Sequence, residues 1–332
     1  MVYLHGLGHF HPENVITNRF LVDLDIGTTE EWIMERVGIE TRRTILPLDY
    51  LRKTKNADPR ATCEARLYSD AQMGARAAQM ALERAGLSTA DIGMVISGSS
   101  APEFLTPSEA ATVAGELGID VPCFDINNAC TTFGVQMNVL DRMRPEALPP
   151  YILVLNIEGV TPSIDFSDRR SAVLFGDAST AAVVSATIPA DKAFVDCTMD
   201  AKPTLWDKIQ VERWRFFSQD GSAVQGFAIR KTTDGLRAIM ASAGQGAKRL
   251  FFIGHQANLG VLRTACERSG LAEASHWHNV TAFGNTGCAG APATLSQHWD
   301  ELRPGDCVAM ALVGGGLTWT RMALQVRGED VP

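Results

Sequence analysis

Apolar and polar positions along this 332-residue chain fall into blocks that alternate between the period of a helix and that of a strand. AQMGARAAQMALERAGL, residues 71 to 87, keeps small and apolar side chains on one helical face and stops at Gly86, which predicts an amphipathic helix. DIGMVISGSS follows as a buried strand running into a loop of small residues. PSEAATVAGELGI predicts a helix, PCFDIN a strand, and TTFGVQMNVLDRM a further helix. YILVLNIEG is an almost unbroken apolar run, the pattern of a strand covered on both faces. The rhythm then recurs: GLRAIMASAG as helix, RLFFIGHQAN as a strand ending in polar residues, GVLRTACERSGL as helix, and DCVAMALVGGGLTW as a strand leading into glycines. Such alternation implies a layered α/β architecture. Two similar halves would bring their loops to a shared seam, and open parallel sheets bind ligands beyond the carboxyl ends of their strands.

Composition narrows the class. With 45% hydrophobic and 20% charged residues the chain has the balance of a folded globular protein, and a net charge of -8 argues against general attraction to nucleic acid or anionic membrane. Seven cysteines, an odd number without CxxC spacing, suggest neither a disulfide framework nor a zinc ribbon and fit a reducing cytoplasm. No apolar run approaches the ~18 residues of a membrane span. The start, MVYLHGLGHFHPEN, lacks the basic flank and apolar core of a secretory signal. The expected location is cytoplasmic, with no nucleic acid and no membrane as partner.

Three clusters stand just after strands. Cys130 lies between a strand and a helix, where unpaired N–H groups and the positive end of the helix dipole favour thiolate over thiol. His255 ends the strand of FFIGHQAN, with Asn258 close behind. Asn285 sits in AFGNTGCAG, a glycine-framed loop that lets backbone approach a ligand. Taken singly, each has an ordinary structural reading: a buried thiol, a hydrogen-bonded core histidine and a turn asparagine.

Together, NNACTTFG, HQAN, FGNTGCAGAP and GGGLTW, in this order, resemble the thiolase superfamily, and within it the β-ketoacyl-acyl carrier protein synthase III family. EEWIMERVGIETRR near the start and VLFGDASTAAVV at the midpoint extend the resemblance over nearly the whole chain. The resemblance implies a thiolase-like five-layered αβαβα fold made of two repeated halves, here 1–187 and 188–332, paired as a homodimer. It implies Cys130 as the acyl-accepting nucleophile, and His255 and Asn285 as the pair serving decarboxylation and condensation. From the glycine run 314–316, the N–H of Gly315 would join that of Cys130 in an oxyanion hole. A side chain at position 315 is expected to crowd that oxygen. Trp32 and Arg36 are similar to the family's coenzyme A contacts, an aromatic face for adenine and a guanidinium for phosphate, and Asn258 joins them as a substrate-side residue. No cofactor is implied: coenzyme A or phosphopantetheine thioesters are substrates, delivered as acyl-CoA or on an acyl carrier protein.

The chain departs from the family pattern in places. Asn127 and Asn128 precede the cysteine, and Thr131 and Thr132 follow it, where small residues are usual. Gly260 and Glu267 replace basic residues that dock an acidic carrier, with Arg263 and Arg268 as possible substitutes. An additional stretch, about 44 to 70, has the composition of a packed lobe and is expected to border the acyl tunnel or the dimer seam. Trp206, Trp214, Phe216 and Phe217 lie in a segment that reads equally as core or as a cap over the entrance. Asp177 of LFGDAST is read as structural, as is Cys288. His9 with His11 and His276 with His278 share strand faces but lack a third metal ligand nearby. The expected activity is decarboxylative Claisen condensation of an acyl-Cys130 thioester with a malonyl or β-keto thioester, in specialised metabolism. The alternatives are acyl transfer to a hydroxyl or amine on the same scaffold, and a non-catalytic partner subunit.

Overall fold

The computed structural model describes residues 1–212 and 215–328. Nine strands make one mixed sheet: β1 (Val2–Phe10), β2 (Met94–Ser97), β3 (Cys123–Asp125), β4 (Ile152–Glu158), β5 (Ala178–Ser185), β6 (Lys192–Ala201), β7 (Arg249–Gly254), β8 (Asp306–Gly314) and β9 (Thr318–Val326). Their spatial order is β7-β8-β9-β6-β1-β5-β4-β2-β3. Outward from β1 the pairings run antiparallel to β5, antiparallel to β4 and parallel to β2, with β3 parallel beyond. Outward from β6 they run antiparallel to β9, antiparallel to β8 and parallel to β7. One topology is therefore laid down twice. Among the described residues the two half-sheets pair where Val2, Tyr3 and Leu4 face Phe194, Ala193 and Lys192.

Seven helices matter for the site: α1 (Glu30–Val37), α2 (Asp70–Ala85), α3 (Glu109–Leu117), α4 (Thr132–Arg142), α5 (Gly221–Met240), α6 (Leu259–Ser269) and α7 (Gly290–Gln297). Helices α2 and α3 cover the outer face of the first half, and α5 and α6 that of the second. Between the half-sheets, α4 touches β1 and β4 on one side and β6 and β9 on the other, while α7 touches β1, β5 and β7. This is the five-layered αβαβα arrangement of the thiolase fold. A strand enclosed in this way needs apolar residues on both faces, and every residue of β4 and β8 is buried.

Helix α2 shows how the sequence specifies a layer. Ser69 and Gln72 form a reciprocal capping box at its start, and Gly86 closes it in the left-handed region at φ 65°. Its alanine face lies directly on β1, where a Cβ at Gly6 would fall 2.0 Å from the Ala81 carbonyl oxygen and one at Gly8 2.1 Å from that of Ala77.

Helix α5 departs from expectation, beginning 14 residues before the Gly235 that sequence pattern takes as its start. Asp220 caps it, accepting from the Ala223 N–H at 3.3 Å. Gly235 is a contact point in mid-helix: a Cβ there would meet that of Ala311 at 3.0 Å. The additional stretch, 44 to 70, is packed as expected. Leu51 and Asn56 are fully buried, and the Asn56 amide donates to the Pro162 and Ile164 carbonyls at 2.9 Å each. Among the described residues no helix is long and apolar enough to cross a membrane.

Replacing Gly6 with Val is expected to lower unfolding stability by about 3 kcal/mol, because the new side chain would force α2 off β1. The midpoint of urea unfolding reads this directly; an unchanged midpoint would refute the close-approach account.

Candidate active site

Strand β3 ends at Asp125, and Ile126 still donates its N–H to the Ser97 carbonyl at 2.8 Å. The chain then turns sharply through Ala129, whose φ of 49° lies in the left-handed region. For an alanine this costs about 1–2 kcal/mol. The polar residues flanking the cysteine hold the turn. Asn127 Oδ1 accepts from the Ala129 N–H at 2.9 Å, Thr132 Oγ1 accepts from the Asn128 N–H at 2.8 Å, and the Thr131 and Thr132 hydroxyls donate to the Asn128 and Ala129 carbonyls at 2.8 and 2.7 Å. Four bonds of about 1 kcal/mol each offset the strain. The departures from the family pattern around Cys130 are thus the braces of its elbow.

The second half closes over that elbow. Thr318, at the start of β9, donates its hydroxyl to Thr131 Oγ1 at 2.9 Å, the Thr131 proton being committed to the Asn128 carbonyl. A Cβ on Gly314 would lie 3.1 Å from the Cys130 nitrogen and 3.3 Å from its Cβ. A Cβ on Gly315 would meet Ile209 at 3.5 Å and Ala129 at 3.7 Å, ordinary contacts with the chain's own atoms, so the crowding expected there concerns a bound oxygen and not the protein. The close backbone approach belongs to Gly314, while Gly316, at φ 118°, makes the turn. Ile209 brings the segment after β6 onto this corner. Within that segment Trp206 is 63% exposed and outside the core, Phe217 packs edge-on against Phe175 at 4.5 Å, and Trp214 lies outside the described residues.

His255 follows β7 directly and is buried. The neighbouring Gln256 accepts the Asn279 and Val280 N–H groups, binding this corner to the segment that leads to Asn285. Asn285 is fixed through its backbone, donating to the Leu174 carbonyl and accepting from the Gly176 N–H. Its Oδ1 accepts the Gly287 N–H at 3.0 Å, which assigns the remaining amide nitrogen as a donor. Asp177 is a structural hub, its carboxylate accepting from Thr161 and Ile45. The histidine pairs are engaged in stacking: His11 lies 3.8 Å from the Phe283 ring and His276 stacks on Phe252.

The state of the sulfur differs from expectation. Cys130 lies ahead of the Thr131 cap, outside the first turn of α4. Burial pushes its thiol up to about 12 and the Glu158 carboxylate adds to the rise, its own backbone N–H offsetting part. Desolvation outweighs the helix terminus, so the resting group is a thiol. Burial also depresses His255, to about 4, leaving its imidazole neutral near pH 7. Cys288 approaches this corner too. Its thiol bonds to the Gly98 carbonyl at 3.4 Å, and its N–H donates to Glu158 at 3.1 Å.

Some distance away, a cavity of about 350 Å³ is lined by Trp32, Thr28, Thr29 and Arg169 among others, with the Arg169 guanidinium 4.8 Å over the Trp32 ring. Arg36 is exposed and does not line it; only its carbonyl is used, by the Asn258 amide at 3.2 Å. Asn258 Oδ1 meanwhile caps α6 through the Gly260 and Val261 N–H groups, so its polar atoms tie α6 to α1. Arg169, whose guanidinium lies over Trp32, was not singled out by sequence pattern: in DFSDRRSAVLF it reads as a solvated charge.

Two family profiles match the chain. The one described as 3-oxoacyl-[acyl-carrier-protein (ACP)] synthase III covers residues 124–203, and its C-terminal counterpart covers 240–326. The beta-ketoacyl-[acyl-carrier-protein] synthase III of Sulfurovum sp. (strain NBC37-1) is 28% identical over 98% of this chain and 96% of its own. Among solved structures, 3-oxoacyl-[acyl-carrier-protein] synthase III from Aquifex aeolicus VF5 superposes with a TM-score of 0.84 at 27% identity, covering 98% of this chain and all (100%) of that one. The priming beta-ketosynthase from the R1128 polyketide biosynthetic pathway gives 0.82 at 26% identity, over 98% and 96% of the two chains.

Alkylation of Cys130 by iodoacetamide, followed by intact mass, is expected to accelerate continuously from about pH 6 to about pH 10. A plateau at neutral pH would reveal a resting thiolate and overturn the thiol assignment.

Proposed function

Since the chain belongs to the 3-oxoacyl-[acyl-carrier-protein] synthase III family of condensing enzymes, we propose that it takes an acyl group from an acyl-CoA or acyl carrier protein onto Cys130. It then joins that group to a malonyl or β-keto thioester by decarboxylative Claisen condensation. The observation that carries this reading is the assignment of Asn285: with Oδ1 occupied by Gly287, its amide has only N–H to offer. A donor there suits a substrate oxygen that gains negative charge, as a thioester enolate does.

Each step follows from the chemistry of the groups. Sulfur is both a good nucleophile and a good leaving group, so Cys130 can accept an acyl chain and later release it to carbon. As the thiol attacks, His255, neutral near pH 7, takes its proton and passes it to the departing coenzyme A sulfur. The N–H groups of Cys130 and Gly315 stabilise the tetrahedral oxyanion, and the close fit at Gly314 fixes their relative position. When the malonyl thioester loses carbon dioxide, His255 and Asn285 donate to the enolate oxygen, a role that requires the histidine tautomer with its N–H directed at that oxygen. The Trp32 and Arg169 cavity suits a nucleotide end, by aromatic stacking and pairing with phosphate.

Carrier docking rests on fewer cations than the family pattern carries. Gly260 is exposed on α6, and Arg263 is paired with Glu273 at 3.4 Å. A homodimer is supported by the free edge of β3, where Phe124 is exposed alongside Phe104 and Leu105.

Incubation with a panel of acyl thioesters is expected to add one acyl mass to the wild type and none to Cys130→Ala. With malonyl thioester supplied, Asn285→Ala is expected to load normally yet release carbon dioxide about 100-fold more slowly. An adduct discharged only to an alcohol or amine, without carbon dioxide, would replace condensation by acyl transfer to oxygen or nitrogen.

A further inference from the structure

Arg42, in the GIETRR motif, is a fully buried side chain. Its guanidinium donates twice to the Val173 carbonyl, from Nε at 3.0 Å and Nη2 at 2.5 Å, and from Nη1 to Asn18 Oδ1 at 2.6 Å. Longer bonds of 3.4 Å reach the Ile39 and Glu40 carbonyls. All of these oxygens are neutral. Burial lowers the guanidinium to about 9, so it stays charged near pH 7 with no carboxylate among its acceptors. A buried charge without a counter-ion is costly, and methionine would fill the same space without that cost. The surroundings of the stem show what the anchored head holds in place.

The stem runs between segment 173–177 of the first copy and segment 281–285 of the second. These two segments lie against each other, with the Asn285 backbone bonded to Leu174 and Gly176, and each brings a glycine to the contact. A Cβ on Gly176 would fall 2.4 Å from the Phe283 oxygen and 3.1 Å from the Arg42 Cβ. One on Gly284 would fall 2.6 Å from the Leu174 oxygen and 2.9 Å from the Arg42 Cγ. Arg42 therefore touches both the residue before Asn285 and the residue that donates to its carbonyl. Gly284, at φ 69°, sets the direction in which Asn285 leaves the short helix Val280–Phe283. The chain around Arg42 also holds both segments. The Glu40 N–H donates to the Thr281 carbonyl at 2.8 Å, the Thr41 hydroxyl to the Ala282 carbonyl at 2.6 Å, and the Asp177 N–H to the Arg43 carbonyl at 2.8 Å.

We propose that Arg42 is a positioning residue for Asn285: its head is anchored on Val173 and Asn18, its stem fixes the corner at Gly284, and that corner aims the Asn285 N–H at the enolate oxygen. The proposal rests on the condensing reading above. Arg42 itself touches no substrate. Lysine in its place would offer one ammonium where a planar fork now binds Val173 twice and Asn18 once, so the stem would lose its fixed course past Gly176 and Gly284. A donor that serves a developing charge loses much of its effect when displaced by a fraction of an ångström.

Loading of Cys130 does not use the Asn285 amide, whereas release of carbon dioxide does. Arg42→Lys is therefore expected to keep single-turnover acyl loading within about threefold of wild type, while decarboxylation at saturating malonyl thioester falls about tenfold. A double-mutant cycle with Asn285→Ala decides whether the loss passes through the amide. With the amide gone Arg42 has nothing left to aim, so adding Arg42→Lys to Asn285→Ala is expected to slow decarboxylation by less than about twofold. No loss in the single variant, the same loss in both backgrounds, or loading that falls in step with decarboxylation would overturn the proposal and leave Arg42 a residue of the fold alone. Asn18→Ala, which removes one anchor of the guanidinium, covers the case in which Arg42→Lys does not fold. Decarboxylation about threefold slower in the otherwise wild-type protein and unchanged in Asn285→Ala supports the proposal, and an equal effect or none in both backgrounds overturns it. A wild type that releases no carbon dioxide would defeat the condensing reading and this proposal with it, whereas additive losses in an active enzyme defeat the proposal alone.

Discussion

The backbone of Gly314 lies against the amide of Cys130, and the rest of the candidate site depends on that approach. Cys130 belongs to the first topological copy, whereas His255, Asn285 and the glycine run belong to the second. Elsewhere, among the described residues, the two half-sheets share a three-residue ladder between β1 and β6. What registers one set of groups against the other is the absence of a side chain at 314, the Thr131–Thr318 hydrogen bond and α4 wedged between the half-sheets. Gly134 extends the same fit one turn into α4, where a Cβ would lie 2.1 Å from the Thr320 hydroxyl. A site made of groups from two copies of one fold needs such a tight reference point, because loosening by a fraction of an ångström separates donors from the oxygen they serve.

Burial then sets the chemistry of the assembled groups. The low-dielectric interior that keeps His255 neutral also keeps Cys130 protonated, so one environment yields a proton acceptor and a proton donor with no ion pair between them. Charge is thereby created during reaction rather than stored beforehand. The elbow around Cys130 follows the same economy: the strain at Ala129 is met by asparagine and threonine side chains of its own segment, so no outside group is spent on it.

Much of the layer order could be read from the sequence because helical and strand periods are local properties. The post-strand positions of Cys130 and His255 were visible for the same reason, each a polar residue just beyond an apolar run, whereas Asn285, grouped with them as post-strand, follows the short helix Val280–Phe283 instead. What stayed hidden depends on surroundings. Glu158 closes an apolar strand and looks like its boundary; only the fold shows that Ser100 and Cys288 enclose it. Arg169 stands among charged neighbours and is distinguished only by the Trp32 ring beneath it. The close approach of Gly314 to Cys130 was also hidden, since pattern marks a glycine run without revealing which member meets another chain segment. The ionisation of Cys130 was misjudged because the helix end is legible in sequence and desolvation is not. Gly235 looked like a helix start because nothing local reveals the β8 residue Ala311 against it.

The pairing order of the strands has a further consequence for how the molecule is made. Strand β1 finds β5 and then β6 once residue 201 has been synthesised, so the first copy can close with its cysteine in place while the second is still being translated. The wall that shields the thiol, at Gly314 and Thr318, emerges more than a hundred residues later. Until then the elbow lacks the wall that the second copy supplies, so the order of synthesis leaves Cys130 more open in the nascent chain than in the finished protein.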